Sequence, residues 1–291
     1  MKLIRQPEEG IRPLLAAVRR ARKTIDIVIF RFDLKELEQE LAAAVERGVV
    51  VRALIAHTNR GGASNLRKLE QRFLEKGVTV CRTNDDLVRY HGKLLTVDHR
   101  RTYILGFNYT AQDLGSRSFG IQVGAPRVVK EILRLFESDA NRTDYTPRNR
   151  DLVISPENAR GKLEKFLRGA EASLDIYDPN LSDDRMLTLL ESKARRGVQI
   201  RILGCLEKKW ANAGFDAREF PGRLHVRAIV RDGRRAYVGS QSLRKLELDD
   251  RREVGMIIRD RAIVRSIEKT FGRDWKLTGE KKKKAGKSKV A

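Results

Sequence analysis

Two of the four histidines in this chain carry matching neighbours. His91 opens the run His91-Gly92-Lys93-Leu94-Leu95-Thr96-Val97-Asp98, and His225 opens His225-Val226-Arg227-Ala228-Ile229-Val230-Arg231-Asp232. A cation at the second following position and an aspartate at the seventh arise by chance roughly once in a hundred at this composition. His57 and His99 lack such neighbours and read as surface or turn residues. A neutral imidazole, with a pKa near ~6.5, attacks phosphorus or passes a proton. Phosphorus bearing anionic oxygens repels nucleophiles, so fixed cations and donors must hold the charge of the transition state. Lys93, Arg227, Asn108 and Ser242 are of the types that do so. One histidine from each half gives a nucleophile and a general acid on opposite sides of a phosphodiester bond, as in-line displacement requires.

These residues need strands to aim them. Side chains two apart on a strand share a face, so His91 and Lys93 point together, as do His225 and Arg227. Asp232-Gly233-Arg234 reads as a tight turn, with glycine supplying a positive φ. With Gly233 and Arg234 as a two-residue loop, His225 lies opposite Ser242, and the matching register puts His91 opposite Asn108. A shift by two brings Ser240 or Gly106 opposite the histidine instead. Asp98 and Asp232 fall at the turns and read as structural, and Gly106, Gly239 and Ser240 support the returning strands. A working histidine usually has its other nitrogen on a carboxylate. Glu253 is best placed for the second half, and Asp113 or Ser118 for the first.

The two motifs sit in an internal repeat. Ile25–Phe30 and Leu174–Tyr177 read as strands, each followed by a helix (Leu34–Glu46, Met186–Arg195), a glycine stop and a second strand. Each is a βαβ unit, so parallel sheet is expected. A further helix is expected over Asn65–Lys76. The copies end alike, in Phe136-Glu137-Ser138-Asp139 and Phe271-Gly272-Arg273-Asp274-Trp275. The segment 141–156, rich in Arg, Asn, Thr, Asp and Pro, reads as a linker. The expected domains are 1–145, 146–278 and a disordered basic tail over 279–291.

Lys and Arg number 61 against 39 Asp and Glu, a formal charge of +22 that favours polyanionic partners such as nucleic acid or anionic lipid. At 41% hydrophobic residues the composition is that of a globular chain rather than a disordered one. Cys81 and Cys205 fall in no metal or redox spacing. Glu8 and Glu9 precede any apolar run, and no stretch is long enough to span a bilayer, so a cytoplasmic protein, at most peripheral at a membrane, is expected. The basic tail is a candidate tether to anionic surfaces, and Trp210 is either an interfacial anchor or a ring packed beneath a loop.

The segments around His91 and His225 resemble the paired His-x-Lys-x4-Asp motifs of the phospholipase D superfamily. Leu152–Arg160 and Gly239-Ser240-Gln241-Ser242 are similar to those of its bacterial cardiolipin-synthase-like members. The resemblance implies two similar α/β domains, with mixed and largely parallel sheets, packed pseudo-symmetrically around one shared site. It also implies a phosphohistidine intermediate and neither metal nor cofactor. By that analogy His91 is the nucleophile and His225 the acid, although near-symmetric motifs leave the reverse open. The chain departs from the pattern at Arg227, where the family has lysine, at Ser242, where it usually has asparagine, and at Leu105-Gly106-Phe107-Asn108. The reading that follows is hydrolysis or transfer of a phosphatidyl group by a monomer. Its alternatives are a nuclease on the same site, and a non-catalytic binder of anionic lipid or nucleic acid.

Overall fold

The computed structural model describes residues 1–59 and 61–287, with side chains through Thr278. The first half opens with β1 (Lys2–Gln6), α1 (Arg12–Arg19), β2 (Thr24–Ile29), α2 (Lys35–Glu46), β3 (Val50–Ile55), α3 (Ser64–Glu75) and β4 (Thr79–Arg82). It continues through β5 (Arg89–Tyr90), β6 (Leu94–Val97), β7 (Arg101–Leu105), α4 (Ala111–Leu114), β8 (Ser118–Val123) and α5 (Pro126–Asn141). The second half opens with β9 (Leu152–Ser155), α6 (Ala159–Arg168), β10 (Ser173–Asp178), α7 (Asp184–Arg195), β11 (Gln199–Gly204) and β12 (Asp216–Arg218). It closes with β13 (Arg227–Arg231), β14 (Arg235–Gly239), α8 (Lys245–Asp249), β15 (Arg251–Ile258) and α9 (Arg261–Lys287).

Local sequence explains the repeated unit. In α2, Leu37, Leu41 and Ala44 recur at helical spacing and are buried, while Gly48 takes φ +80° to end the helix. In α7, Met186, Leu187 and Leu190 are buried, and Gly197 stops the helix at φ +86°. Each helix returns the chain to a strand parallel to the one before it, β3 beside β2 and β11 beside β10.

The first sheet has the order β1-β8-β7-β6-β2-β3-β4, and the second runs β12-β11-β10-β13-β14-β15. Both are mixed, but parallel pairing does not dominate as expected. Apart from the short β5–β15 pair, it is confined to the β2-β3-β4 and β10-β11-β12 edges. The histidine-bearing hairpins and the strands that return from them are all antiparallel. A hairpin needs only a short turn, whereas a parallel neighbour needs a helix to carry the chain back.

Two core clusters are local, one beneath α1, α2 and α3 and one beneath α6 and α7. A third joins the halves, bringing Phe119, Ile121 and Phe136 together with Tyr177, Val238, Val254 and Phe271. Backbone also crosses the seam. β5 leaves the first half to pair with β15, with His91 N donating to Arg252 O at 2.8 Å. In the mirrored place His225 N donates to Arg117 O at 3.0 Å. Gly106 and Gly239 mark the closest approach, since a Cβ on Gly106 would lie 2.9 Å from Phe119 O and 3.1 Å from Gly239 O.

Two expectations are corrected here. The hairpin turns have three residues, 98–100 and 232–234, with Val97 facing Arg101 and Arg231 facing Arg235. Both aspartates adopt a left-handed backbone, φ 53° at Asp98 and 52° at Asp232, and so aim their carboxylates at neighbouring backbone. Asp98 Oδ1 accepts from the N–H groups of Arg22, Lys23 and Thr24 at 3.0, 2.7 and 3.1 Å. Asp232 Oδ1 accepts from Glu171, Ala172 and Ser173 at 3.1, 2.8 and 3.0 Å. Neither histidine therefore faces the residue the two-residue loop assigned to it; both have left their hairpin ladders, which begin at Leu94 and Arg227. Next, the segment read as a linker ends in β9, whose buried Leu152-Val153-Ile154 pairs with β15 as β1 pairs with β8. Of the two readings of Trp210, the structure shows the packed one: the ring is half-buried against the second-half core. The last helix runs on to Lys287, into the segment expected to be a disordered tail. Its side chains from 279 on, and residues 288–291, lie outside the described residues.

The aspartate anchors are testable. Asp98→Ala removes the acceptor for three N–H groups, each worth about 1 kcal/mol net, and leaves a β-carbon at positive φ. Urea denaturation should show a loss of about 2–3 kcal/mol, with Asp232→Ala acting in the same direction. A change in Asp98→Ala below about 0.5 kcal/mol, the range of ordinary surface substitutions, would remove this role.

Candidate active site

His91 lies where β5 runs toward β6, and its imidazole is held from the opposite half. Its Nδ1 is 2.7 and 2.8 Å from the two carboxylate oxygens of Glu253, on β15. The sequence reading placed Glu253 with His225; the structure gives it to His91. The reason is the crossed pairing at the seam, because β15 lies beside β5 and presents Glu253 to the histidine that β5 delivers. Phe30 fixes the ring from its edge, with centroids 4.3 Å apart at 82°. An ionised carboxylate only accepts, so Nδ1 carries the proton and Nε2 keeps its lone pair. Lys93 Nζ sits 2.8 Å from Nδ1 and donates to His91 O at 2.6 Å.

His225 is held differently. Its Nδ1 has no hydrogen-bond partner, and the nearest carboxylate oxygen, Asp113 Oδ2, stands at 3.5 Å. Of the two first-half candidates, then, Asp113 faces the second-half histidine. Ser118 occupies the place in β8 that Glu253 occupies in β15, and its hydroxyl donates only to His225 O, at 3.4 Å. Asp113 is otherwise committed, accepting from Asn108 N at 2.8 Å, Asn108 Nδ2 at 2.6 Å and Arg223 Nη1 at 2.6 Å.

The second half repeats that arrangement five residues past Ser242. Glu247 Oε2 accepts from Ser242 N at 2.7 Å, as Asp113 does from Asn108 N. Sequence reasoning missed Glu247, although the shared spacing of five was available. Arg227 donates from Nε to Ser242 Oγ at 3.2 Å and from Nη1 to His225 O at 3.0 Å. The chain's two departures in this half thus touch each other. A longer cation at 227 reaches a shorter hydroxyl at 242.

A small cavity of about 150 Å³ opens between the halves. His91, Asn108, His225 and Arg227 are on its wall, together with Phe30, Arg31, Arg89, Asn180, Arg223, Glu247 and Arg251. Lys93, Ser242 and Glu253 lie behind it, each almost fully buried. Ser240, just past β14, sits beside Glu253, and its Oγ donates to Val254 O at 3.3 Å. All seven residues expected to carry chemistry therefore gather in one place, four of them facing the cavity. Among the described residues there is no cluster of three or more His, Cys, Asp or Glu side chains arranged to hold a metal ion.

Burial and then the surrounding cations set the protonation states. Burial, with Lys93 and Arg227 nearby, holds His91 well below its ordinary pKa, so the imidazole is neutral at pH 7. Burial and Arg227 push His225 down likewise, with Asp113 opposing. Asp113 is ionised. Burial works against that, but hydrogen bonds from Asn108 and from the Arg223 guanidinium hold its carboxyl below the ordinary carboxylate range. Burial lowers Lys93 to about 7, against the opposing pull of Glu253, and burial raises Glu253.

The description of the family model that matches the chain is cardiolipin synthase, phospholipase D-like domain, over residues 14–140 and 163–275. No curated protein matches. Among solved structures, a polyphosphate kinase from Porphyromonas gingivalis superposes with a TM-score of 0.76 at 18% identity, over 93% of this chain. The chain spans 46% of that kinase's length. A phosphatidylserine synthase from Haemophilus influenzae Rd KW20 gives 0.73 at 11% identity, covering 92% of this chain and 84% of the synthase. At these identities the likeness establishes a shared two-domain fold.

Two outcomes follow for the site. Arg227→Lys leaves a gap beside Ser242, so the double variant Arg227→Lys/Ser242→Asn should turn over substrate faster than Arg227→Lys alone. Additive losses in that double-mutant cycle would show the two positions to be independent. Lys93 supplies a pH test. The unfolded side chain titrates near ~10.4 and the folded one near 7, so the unfolded chain binds more protons between those values. Stability from this group therefore rises with pH across that window. The melting temperature of wild type minus that of Lys93→Met should increase between pH 7 and pH 9.5. A flat difference would mean that Lys93 is not depressed.

Proposed function

The chain belongs to the cardiolipin-synthase, phospholipase D-like domain family, and on that premise we propose that it is a metal-independent phosphodiesterase working through a phosphohistidine on His91. The carrying observation is that His91 and His225, one from each half, open onto the same cation-lined cavity. Nε2 of His91 attacks phosphorus, forming the N–P bond as the bond to the leaving oxygen breaks. His225 gives that oxygen its proton. Water or an alcohol then surrenders a proton to His225 and attacks the same phosphorus, which frees His91 and returns the acid to its starting state.

The asymmetry of the two histidines supports this division of labour. Glu253 fixes the tautomer of His91 that a nucleophile needs. His225, with Nδ1 unpaired, is the freer group to accept and release a proton. An anionic phosphate in the cavity offsets the cations that depress both imidazoles, raising the pKa of His225 when a proton is wanted there. Asn108, on the cavity wall, and Arg227 stabilise the equatorial oxygens.

For the substrate we favour a phosphatidyl group, hydrolysed or transferred to an alcohol. The family description and the fold shared with a phosphatidylserine synthase support this. No helix among the described residues is long and apolar enough to cross a membrane, so lipid would be met at its surface. A nuclease is the second reading, supported by the +22 charge and the arginines around the cavity. Both halves of the site come from one chain, which supports action as a monomer.

Turnover in the presence of chelator tests the reading, with phospholipid vesicles, single-stranded DNA and RNA offered side by side. His91→Ala should lower the rate on the true substrate by about 10³-fold or more. With a nitrophenyl phosphodiester, whose leaving group needs no proton, His225→Asn should accumulate acid-labile phosphate on His91. Phosphate found on His225 in wild type would reverse the roles, and full activity in His91→Ala would end the proposal.

A further inference from the structure

The repeat that builds the cavity is not repeated in charge. Arg89 and Arg223 stand two residues before His91 and His225, yet only one is neutralised. Arg223 is paired with Asp113 at 2.6 Å and also bonds Ser116 Oγ. Arg89 has no side-chain hydrogen bond or ion pair among the described residues. Two residues before Glu253 stands Arg251, where the first half has Ser116 before Ser118. Two residues past the end of β2 stands Arg31, where Asn180 follows β10. Arg31 is exposed at the rim and likewise unpaired among the described residues.

These three arginines line the cavity together with His91. Arg89 and Arg251 are direct partners in the β5–β15 register, a like-charge pairing that costs a sheet stability. Arg251 is 5% exposed, and its Nε is buried without a partner. Glu247 meets Arg251 at 3.3 Å, but its other oxygen is taken by Ser242 N. Around and behind the cavity, Arg31, Arg89, Lys93, Arg223, Arg227 and Arg251 face Asp113, Asp178, Glu247 and Glu253. Two positive charges are left over when all are ionised, and a phosphodiester neutralises one. Buried charge of this kind is costly unless a ligand completes it.

We propose that Arg31, Arg89 and Arg251 form a second anion subsite beside His91, which takes a further phosphate carried on the substrate in addition to the diester that reacts. This rests on the phosphodiesterase reading above. The substrate class is a phosphodiester bearing a second phosphate within a few bonds, attached to either a nucleoside or a glycerolipid. Guanidinium groups suit the task because each grips phosphate oxygens through paired N–H groups. A cavity of about 150 Å³ has room for phosphates but not for acyl chains, which would stay outside.

Two matched substrate pairs test it. One is thymidine 5′-(p-nitrophenyl phosphate) with and without a 3′-phosphate; the other is phosphatidylglycerophosphate against phosphatidylglycerol in phosphatidylcholine vesicles. Wild type should prefer the second phosphate by at least about tenfold in kcat/KM in one pair, and that pair identifies the carrier. Arg31→Gln and Arg89→Gln should each reduce this preference several-fold, and the double variant should abolish it. Arg31 lies at the surface, so its variant reports even if Arg89→Gln fails to fold. Where either pair is turned over, the absence of a preference in both, or a preference that survives the double variant, overturns the subsite. Calorimetry with inorganic pyrophosphate separates the two proposals. Tight binding weakened tenfold or more by the double variant, without turnover of any substrate, keeps the subsite and removes the phosphodiesterase. Binding that the double variant leaves unchanged removes the subsite whatever the turnover.

Discussion

Charged groups buried at a seam between two sheets must find partners there, because water cannot serve them. In this molecule the partner comes from the opposite half. Arg117 of the first half meets Asp274 of the second at 2.7 Å, and Arg252 of the second meets Asp139 of the first at 3.1 Å. Both aspartates belong to the Phe-x-x-Asp endings of the two repeats. Each arginine is held further by an acid from its own half, Glu8 for Arg117 and Glu157 for Arg252. Neither half is electrostatically complete alone, and the residue after each arginine, Ser118 or Glu253, is thereby delivered to the histidine across the seam.

That exchange couples folding to chemistry. His91 obtains its orienting carboxylate only when β15 has docked beside β5. The same docking shuts Lys93 behind the cavity wall, where low dielectric brings its pKa down to about 7. A cation held there is expensive for stability, and under the proposed function a phosphate arriving in the cavity would complete the charge balance. The shared apolar cluster, with Phe119, Tyr177 and Phe271 in edge-to-face contact, supplies the attraction that keeps such a charged seam closed.

The two sites of a duplicated fold have diverged into one asymmetric site. A carboxylate remains beside His91, and a serine stands at the matching place beside His225. Arg251 and Arg31 stand where the other half has Ser116 and Asn180. Symmetry at the level of backbone therefore coexists with an asymmetry of side chains, and the cavity presents different chemistry on its two sides.

The sequence by itself determined the repeat, the two βαβ units and the histidine-centred motifs, because these are carried by short-range spacing. Apolar periodicity sets α2 and α7, glycine ends them, and a histidine with a cation two residues later stays together on any local backbone. It also showed the arginine–serine departure, though not that Arg227 and Ser242 touch. Only the tertiary structure decided which acid serves which histidine. Glu253 and His91 are 162 positions apart, and no local pattern encodes a bond that exists only when two sheets dock. The linker misled for a related reason: Leu152-Val153-Ile154 is too short an apolar run to declare itself a strand until β15 is there to pair with it. The turns misled at the scale of one residue, because the left-handed aspartates answer to N–H groups far away along the chain, 75 positions at Lys23 and 60 at Ala172.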